Sequence, residues 1–309
     1  MKPIRIATRK SRLALWQSNC VADQLRQQVP GIEVELLPMS TRGDEVLDRS
    51  LAEIGGKGLF LKELEVALLE DRADIAVHSL KDVPAEQPDG LILGAFLARA
   101  DAGDLWISRD AVGPADLPAG RVVGSSSLRR ISQLHAIRPD IEVIALRGNV
   151  ETRIAAVQQG RVAATVLAAA GLNRLGIVPE GAIALSVEHW LPAPGQGIIA
   201  IQCRLDDRRV IDQLAGLNCP MTALQARCER AVVEALGGDC RMPLAAYADV
   251  RGSRLDLHAR LGGLGGQLID ARVSGKSADA VMLGRSAAAQ LLANGGKKIL
   301  ERLNLFPSP

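Results

Sequence analysis

The sequence predicts an α/β protein of two doubly wound lobes, hinged across a cleft, followed by a small α+β third domain. Three observations carry that reading. From Ile4 to Leu97, and again from Arg121 to Leu167, short apolar strands alternate with amphipathic helices, the pattern of parallel βα units. Two irregular passages, the polar Arg99–Asp104 and the Pro/Gly-rich Trp190–Gly197, lie where the chain passes from one series to the other and back, as in a cleft that opens and closes. After Gly237-Gly238 the order changes to alternating strands followed by a helix.

In chain order, Ile4–Thr8 reads as a strand, followed by the basic turn Arg9-Lys10-Ser11-Arg12 and a helix from about Leu13 to Gln28, which Pro30-Gly31 ends. Ile32–Leu37 is the next strand. A polar loop, Ser40–Ser50, leads through Gly55-Gly56-Lys57-Gly58-Leu59-Phe60 to a helix over Leu61–Glu70. The apolar, β-branched start of Ile75–Pro84 predicts a buried parallel strand, with Lys81 and Asp82 side by side at its carboxyl end. Leu91–Leu97 closes the first series. The second runs through strand Arg121–Gly124, helix Leu128–Ile137, strand Ile141–Leu146, helix Val150–Gln159 and strand Ala163–Leu167. Ile198–Gln202 is expected to rejoin the first sheet. The reading therefore divides the chain into residues 1–98 with 198–217, residues 99–197, and residues 218–309. The last part holds helix Thr222–Leu236, strands Leu244–Val250, Leu255–Leu261 and Leu268–Val273, helix Ala278–Ala293 and a short helix around Lys297–Leu303.

Composition narrows the function. With 309 residues there is room for two or three cores, and a net charge of +2 advertises neither nucleic acid nor membrane. Aromatic content is 2%, with Tyr247 the single tyrosine, so the stacking platforms of single-strand binders are absent. No signal peptide and no apolar run of about 20 residues stands in the sequence. The five cysteines are scattered, with no C-x-x-C, which supports neither a disulfide framework nor a metal site. A cytoplasmic, reduced protein is expected, and a monomer, since no heptad or long apolar stripe stands out.

Arginine outnumbers lysine 29 to 8. Base composition of the genome accounts for such a bias as readily as function does, so position must decide. Arginines gather at element boundaries: Arg9 and Arg12 after the first strand, Arg129 and Arg130 behind Ser125-Ser126-Ser127, then Arg147, Arg153 and Arg174. Both lobes thus open as strand, polar turn, helix, and a helix N-terminus loaded with hydroxyls and guanidinium groups suits an anion. Serines there are also plain N-caps; two such turns, each rich in arginine, favour a ligand with several spread carboxylates over a single phosphate. Gly55-Gly56-Lys57-Gly58 is not a phosphate loop, because Leu51 and Gly58 occupy the positions of the required glycine and hydroxyl residue. It reads as a mobile lid. Lys81-Asp82 is either a surface ion pair or a catalytic carboxylate in a strand-end crevice. His78, a strand residue, reads as packed and hydrogen-bonded. Cys20, Cys203, Cys219 and Cys228 read as small buried hydrophobes. Cys240 differs, on the loop Gly237–Pro243; a helix C-terminus and Asp239 both disfavour its thiolate, so attachment fits it better than turnover.

At this point the sequence resembles the porphobilinogen deaminase family over essentially its full length. The segments that carry the likeness are Arg5–Arg9, Thr41-Arg42-Gly43-Asp44, Gly55–Phe60, Ala73–Pro84, Gly124–Arg130, Leu146–Asn149, Pro194–Gly197 and Cys240–Pro243. The fold that goes with it is periplasmic-binding-protein-like. The resemblance implies a transferase that joins four porphobilinogen units head to tail, releasing ammonia, on a dipyrromethane primer attached by a thioether, to give hydroxymethylbilane. It implies Asp82 as catalytic carboxylate and Cys240 as anchor. Lys81, Ser127, Arg129 and Arg130 match primer-binding groups; Arg9, Arg147, Arg153 and Arg174 match groups for substrate and growing chain, with Gln17 and Phe60 as contributors. Primer plus four units would present twelve carboxylates, which an arginine-lined cleft answers. The sequence departs from the family's pattern at Ser125, at Asp239 beside the anchor, and at Glu53, where some members carry lysine. The rival readings are a two-lobed anion receptor, which gives Cys240 no role, and a phosphate-handling enzyme, for which no metal-binding carboxylate cluster is apparent.

Overall fold

The computed structural model describes residues 2–40, 61–238 and 242–303. Ile75–Ser79 (β3) is the centre of the first sheet, buried on both faces from Ile75 to His78. It lies parallel to Ile4–Arg9 (β1), which in turn is parallel to Val34–Met39 (β2) in the register Ile4↔Val34. Leu91–Phe96 (β4) completes the outward run, and Ile199–Arg204 (β10) returns to insert antiparallel between β3 and β4, giving the order β2-β1-β3-β10-β4.

The second sheet repeats that plan. Asp104–Ser108 (β5), Val122–Gly124 (β6), Glu142–Ile144 (β7), Ala164–Ala168 (β8) and Ala182–Leu185 (β9) stand in the order β7-β6-β8-β5-β9. Here β5 is the antiparallel strand, against both β8 and β9. Each sheet is therefore completed by a strand that arrives from the other one. By sequence, 99–104 reads only as a polar crossing and the second series begins at Arg121; β5, the helix Ala169–Leu175 and β9 are additions. The reason is not local. Leu105-Trp106-Ile107 is an apolar run of three, too short to announce itself, and it becomes a strand because β8 and β9 pair with both of its edges.

The third unit is a three-stranded antiparallel sheet, Leu244–Arg251 (β11), Arg254–Gly262 (β12) and Leu268–Lys276 (β13), with burial alternating along β12 as a one-faced sheet requires. Helices Pro220–Ala235 and Ala280–Leu291 cover its inner face, where Val232, Leu255, Leu257, Leu261, Ala287 and Leu291 share one core. The cysteines divide: Cys203 and Cys228 are buried, as expected, whereas Cys20 and Cys219 keep partial exposure because each sits on a helix flank or end rather than in a core. No described helix is long and apolar enough to cross a membrane. Residues 41–60, with Glu53, Gly55, Gly56, Gly58 and Phe60, and residues 239–241, with Asp239 and Cys240, lie outside the described residues.

The two crossings are bonded to each other. Ala100 N donates to Gly197 O (3.1 Å), Leu97 N to Ile199 O (3.0 Å), and Gln196 Nε2 to Ala102 O (2.7 Å) and Gly103 O (3.1 Å). Two glycines make this closeness possible. Gly195 has φ +74° and a Cβ there would stand 2.7 Å from Leu80 Cγ; at Gly197, φ +86°, it would stand 2.6 Å from Ala100 O.

Candidate active site

The crevice is built around the end of β3. After Ser79 the chain turns through a single 3₁₀ turn, Leu80–Asp82, whose Leu80 is buried while Asp82 is exposed. The carboxylate of Asp82 accepts no hydrogen bond from the described residues. Lys81 is half-buried, and burial pushes its ammonium down to about 8, with Asp82 and Asp104 opposing that shift and Arg130 and Arg129 adding to it. Lys81 Nζ reaches Gln196 Oε1 at 3.5 Å. Gln17, on the helix Arg12–Gln28, donates from Nε2 to Ser79 Oγ at 2.9 Å, so it borders the same strand end.

The arginines come from the second sheet. Arg129 and Arg130 lie in the first turn of the helix Leu128–Ile137, which follows β6 and Ser127, its half-buried N-cap. Both guanidinium groups converge on Asp104, the first residue of β5. Arg129 Nη2 donates to Oδ2 (2.9 Å), and Arg130 donates to Oδ1 from Nη2 (2.6 Å) and to Oδ2 from Nε (3.1 Å). Burial would raise the Asp104 carboxyl; the two arginines and the Trp190 indole override it and hold it far below the usual carboxylate range. Arg129 Nη1 is spent on Leu191 O (2.6 Å), while its buried Nε has no partner among the described residues.

Arg153, on the helix Val150–Gln158, donates from Nε to Gly148 O (3.0 Å). Its pKa falls to about 10, chiefly through burial; Arg130 and Arg147 add to the fall and Asp82 opposes it, which puts these four side chains in one electrostatic neighbourhood. Lys81, Asp82, Arg129, Arg130, Arg147 and Arg153 are thus brought together. Arg9 ends β1, and its charge reaches the buried His78. Arg174 stands apart, at the hinge: Nη2 donates to Gly197 O (2.8 Å) and the guanidinium lies 5.9 Å from the Trp16 ring centroid. The bond to Gly197 uses one of the five guanidinium N–H groups. His78 is packed as expected, with Nε2 3.0 Å from Gln202 Oε1, and burial drops its pKa to about 4.

Sequence reasoning missed Asp104, Trp190 Nε1, which donates to Asp104 Oδ2 at 2.9 Å, and Gln196, whose Nε2 donates to Asp104 Oδ1 at 2.9 Å. It also missed Glu229, which pairs with Arg99. The available signal was Asp104 directly before Leu105-Trp106-Ile107: read as a strand, that run puts a carboxylate at the crevice edge.

Fold and site together define a two-lobed α/β protein whose interlobe crevice gathers cationic side chains around the accessible carboxylate of Asp82. Such a donor set serves a ligand bearing several carboxylates. Residues 4–212 match the family model described as porphobilinogen deaminase, dipyromethane cofactor binding domain, and residues 223–293 match that of the C-terminal domain. Among curated proteins the chain is 52% identical to the porphobilinogen deaminase of Xanthomonas axonopodis pv. citri (strain 306), covering 98% of this chain and 100% of that one. To the porphobilinogen deaminase of Stenotrophomonas maltophilia (strain R551-3) it is 50% identical, covering 97% and 99%. Among solved structures it is similar to the periplasmic VFT2 domain of Bordetella pertussis BvgS, at 17% identity and a TM-score of 0.42 over 68% of this chain and 84% of that one. The chain belongs to the porphobilinogen deaminase family, transferases that polymerise porphobilinogen into hydroxymethylbilane in tetrapyrrole biosynthesis, with a dipyrromethane cofactor.

Proposed function

We propose that this chain joins four porphobilinogen units with Asp82 as its catalytic carboxylate. The observation that carries the assignment is the placement of Asp82, exposed at the end of the buried β3, beside Lys81 and within the electrostatic reach of Arg153. Loss of ammonia from porphobilinogen leaves a cationic methylene-pyrrole. A fixed carboxylate that accepts the pyrrole N–H stabilises that charge where it develops, and the same oxygen can hold the proton given up when the ring is restored. Lys81, Arg130, Arg147 and Arg153 pair with side-chain carboxylates and orient the reacting rings. Arg9 and Gln17 complete the first-lobe side of the site.

The residues present fit a dipyrromethane group. Its carboxylates suit Lys81, Arg129 and Arg130, and the buried Arg129 Nε is a donor without a protein partner among the described residues. When bound, the group supplies the pyrrole end on which the chain grows. Ser127 would add a hydroxyl at the helix N-terminus, and Cys240 would hold the group through a thioether. Arg174 fixes the return crossing through one N–H and offers its remaining donors to substrate. The sheet membership of β10 and the separate third core support the division into 1–98 with 198–217, 99–197 and 218–309. We also propose a cytoplasmic monomer; size-exclusion chromatography tests the oligomeric state and cell fractionation the compartment.

Intact mass of the purified protein, with Cys240→Ser as control, tests the reading. The parent chain is expected to carry the mass of two deaminated porphobilinogen units, absent from the control, and to gain equal steps when porphobilinogen is added. A parent chain that stays bare and inert with porphobilinogen would favour the anion-receptor reading.

A further inference from the structure

Asp104 is buried at the crevice end of β5, and its two oxygens accept five hydrogen bonds from four residues: Arg129, Arg130, Trp190 and Gln196. These donors belong to the helix Leu128–Ile137 and to the return crossing. Gln196 extends the set further, bonding Ala102 and Gly103 in the outward crossing and lying within 3.5 Å of Lys81 Nζ from the first lobe. A buried ion pair is a weak source of stability, since desolvation costs about as much as the attraction returns. Its use here is positional. Neighbouring buried guanidinium groups repel, and one carboxylate between them fixes both in a single geometry.

We propose that Asp104 is the positioning residue of the primer site: it holds Arg129 and Arg130 as one pre-aimed pair and, through Gln196, ties that pair to both crossings and to Lys81. This rests on the reading of Arg129 and Arg130 as primer-binding groups. Asp104 offsets one of the pair's two positive charges and leaves one for a ligand carboxylate. It also joins the arginines to the hinge, so that the geometry of the pair and the angle between the lobes change together. Without Asp104, carboxylates of the primer are the remaining counter-ions for the pair, and the fold should come to depend on them.

The test compares thermal unfolding of protein made without porphobilinogen and protein loaded by adding it, the loading verified by intact mass, for the parent chain and for Asp104→Asn. The variant should unfold earlier in both forms, and its midpoint should rise on loading by roughly 3–6 °C more than the parent's does. Equal rises would make Asp104 a purely structural residue and overturn the proposal, while leaving the primer assignment intact. A parent chain that carries the primer mass and gains no stability would overturn the primer-binding reading of the arginines, and the proposal with it. Should Asp104→Asn fail to fold, hydrogen exchange at Arg130 Nε in parent protein made without porphobilinogen decides. A slowly exchanging signal supports a pair held by Asp104; a signal that appears only after loading overturns it.

Discussion

Arg99 Nη1 and Glu229 Oε1 lie 2.6 Å apart, with side chains 7% and 0% exposed, where both crossings meet the third unit. Glu229 also accepts from Gly195 N (2.6 Å) in the return crossing and from Ala248 N (2.8 Å) in β11. Arg99 donates from Nε to Gln196 O (3.0 Å) and lies 4.9 Å from the Tyr247 ring centroid. This pair fastens the hinge to the third unit, the part of the chain that carries Cys240.

Removing one partner leaves a buried charge without its counter-ion. Arg99→Leu is therefore expected to cost about 3–5 kcal/mol, read as a fall in the denaturant midpoint. Because the two residues act as a unit, Arg99→Leu with Glu229→Leu should cost less than the sum of the single changes. Additive losses would show that the two side chains contribute independently.

Asp82→Asn keeps the shape of an exposed side chain on a short turn, so folding should be unaffected. Loss of the carboxylate charge at the reacting centre is expected to lower kcat by about 10²–10³-fold. Steady-state turnover and the thermal midpoint of the same preparation check this; near-normal turnover would remove Asp82 from its role.

Arg153 is half-buried, and its positive charge interacts with the charges of Arg130, Arg147 and Asp82. Arg153→Leu should remove a charge-assisted contact to a substrate carboxylate and slow elongation by about 10–100-fold. Intact mass during turnover should show one chain length accumulating. A uniform failure of primer attachment would assign Arg153 to assembly instead.

Lys81 supplies a pH dependence. Its folded pKa is lowered to about 8 from 10.5, so the side chain is charged below pH 8 in the fold and neutral above it, while an unfolded chain stays charged to about 10.4. Between those values the unfolded state binds more protons, and the contribution of Lys81 to stability rises with pH. Its hold on a carboxylate runs the opposite way. Binding of a porphobilinogen analogue lacking the amino group should weaken as pH rises through 8, and Lys81→Met should bind more weakly with that step removed. A step that survives in Lys81→Met belongs to another group.

Much of this was legible in the chain. The strand Ile75–Ser79 announced itself because four successive apolar or packed residues stop abruptly at a polar turn, and Asp82 follows from that stop. Arginines at the starts of helices mark an anion cleft because helix ends and strand ends fall on the same edge of a wound sheet. His78 could be read as packed because a strand interior offers a ring little water. Local composition and periodicity determine such features, so the two-lobed plan, the arginine-rich crevice and the accessible carboxylate were the sequence's own.

The tertiary structure decided which charges are spent and which remain. Locally, Asp104 is marked off from Asp101 and Asp110 only by standing directly before the short apolar run Leu105-Trp106-Ile107. It acquires its role because β5 enters antiparallel beside β8, bringing it to a helix that begins 24 residues later and to Trp190 and Gln196, 86 and 92 residues away. The same holds for Arg99 with Glu229, separated by 130 residues. A buried ion pair carries no periodic signature in a sequence. Its partners are selected by packing, and only a folded chain shows which arginines answer to the protein and which are left for a ligand.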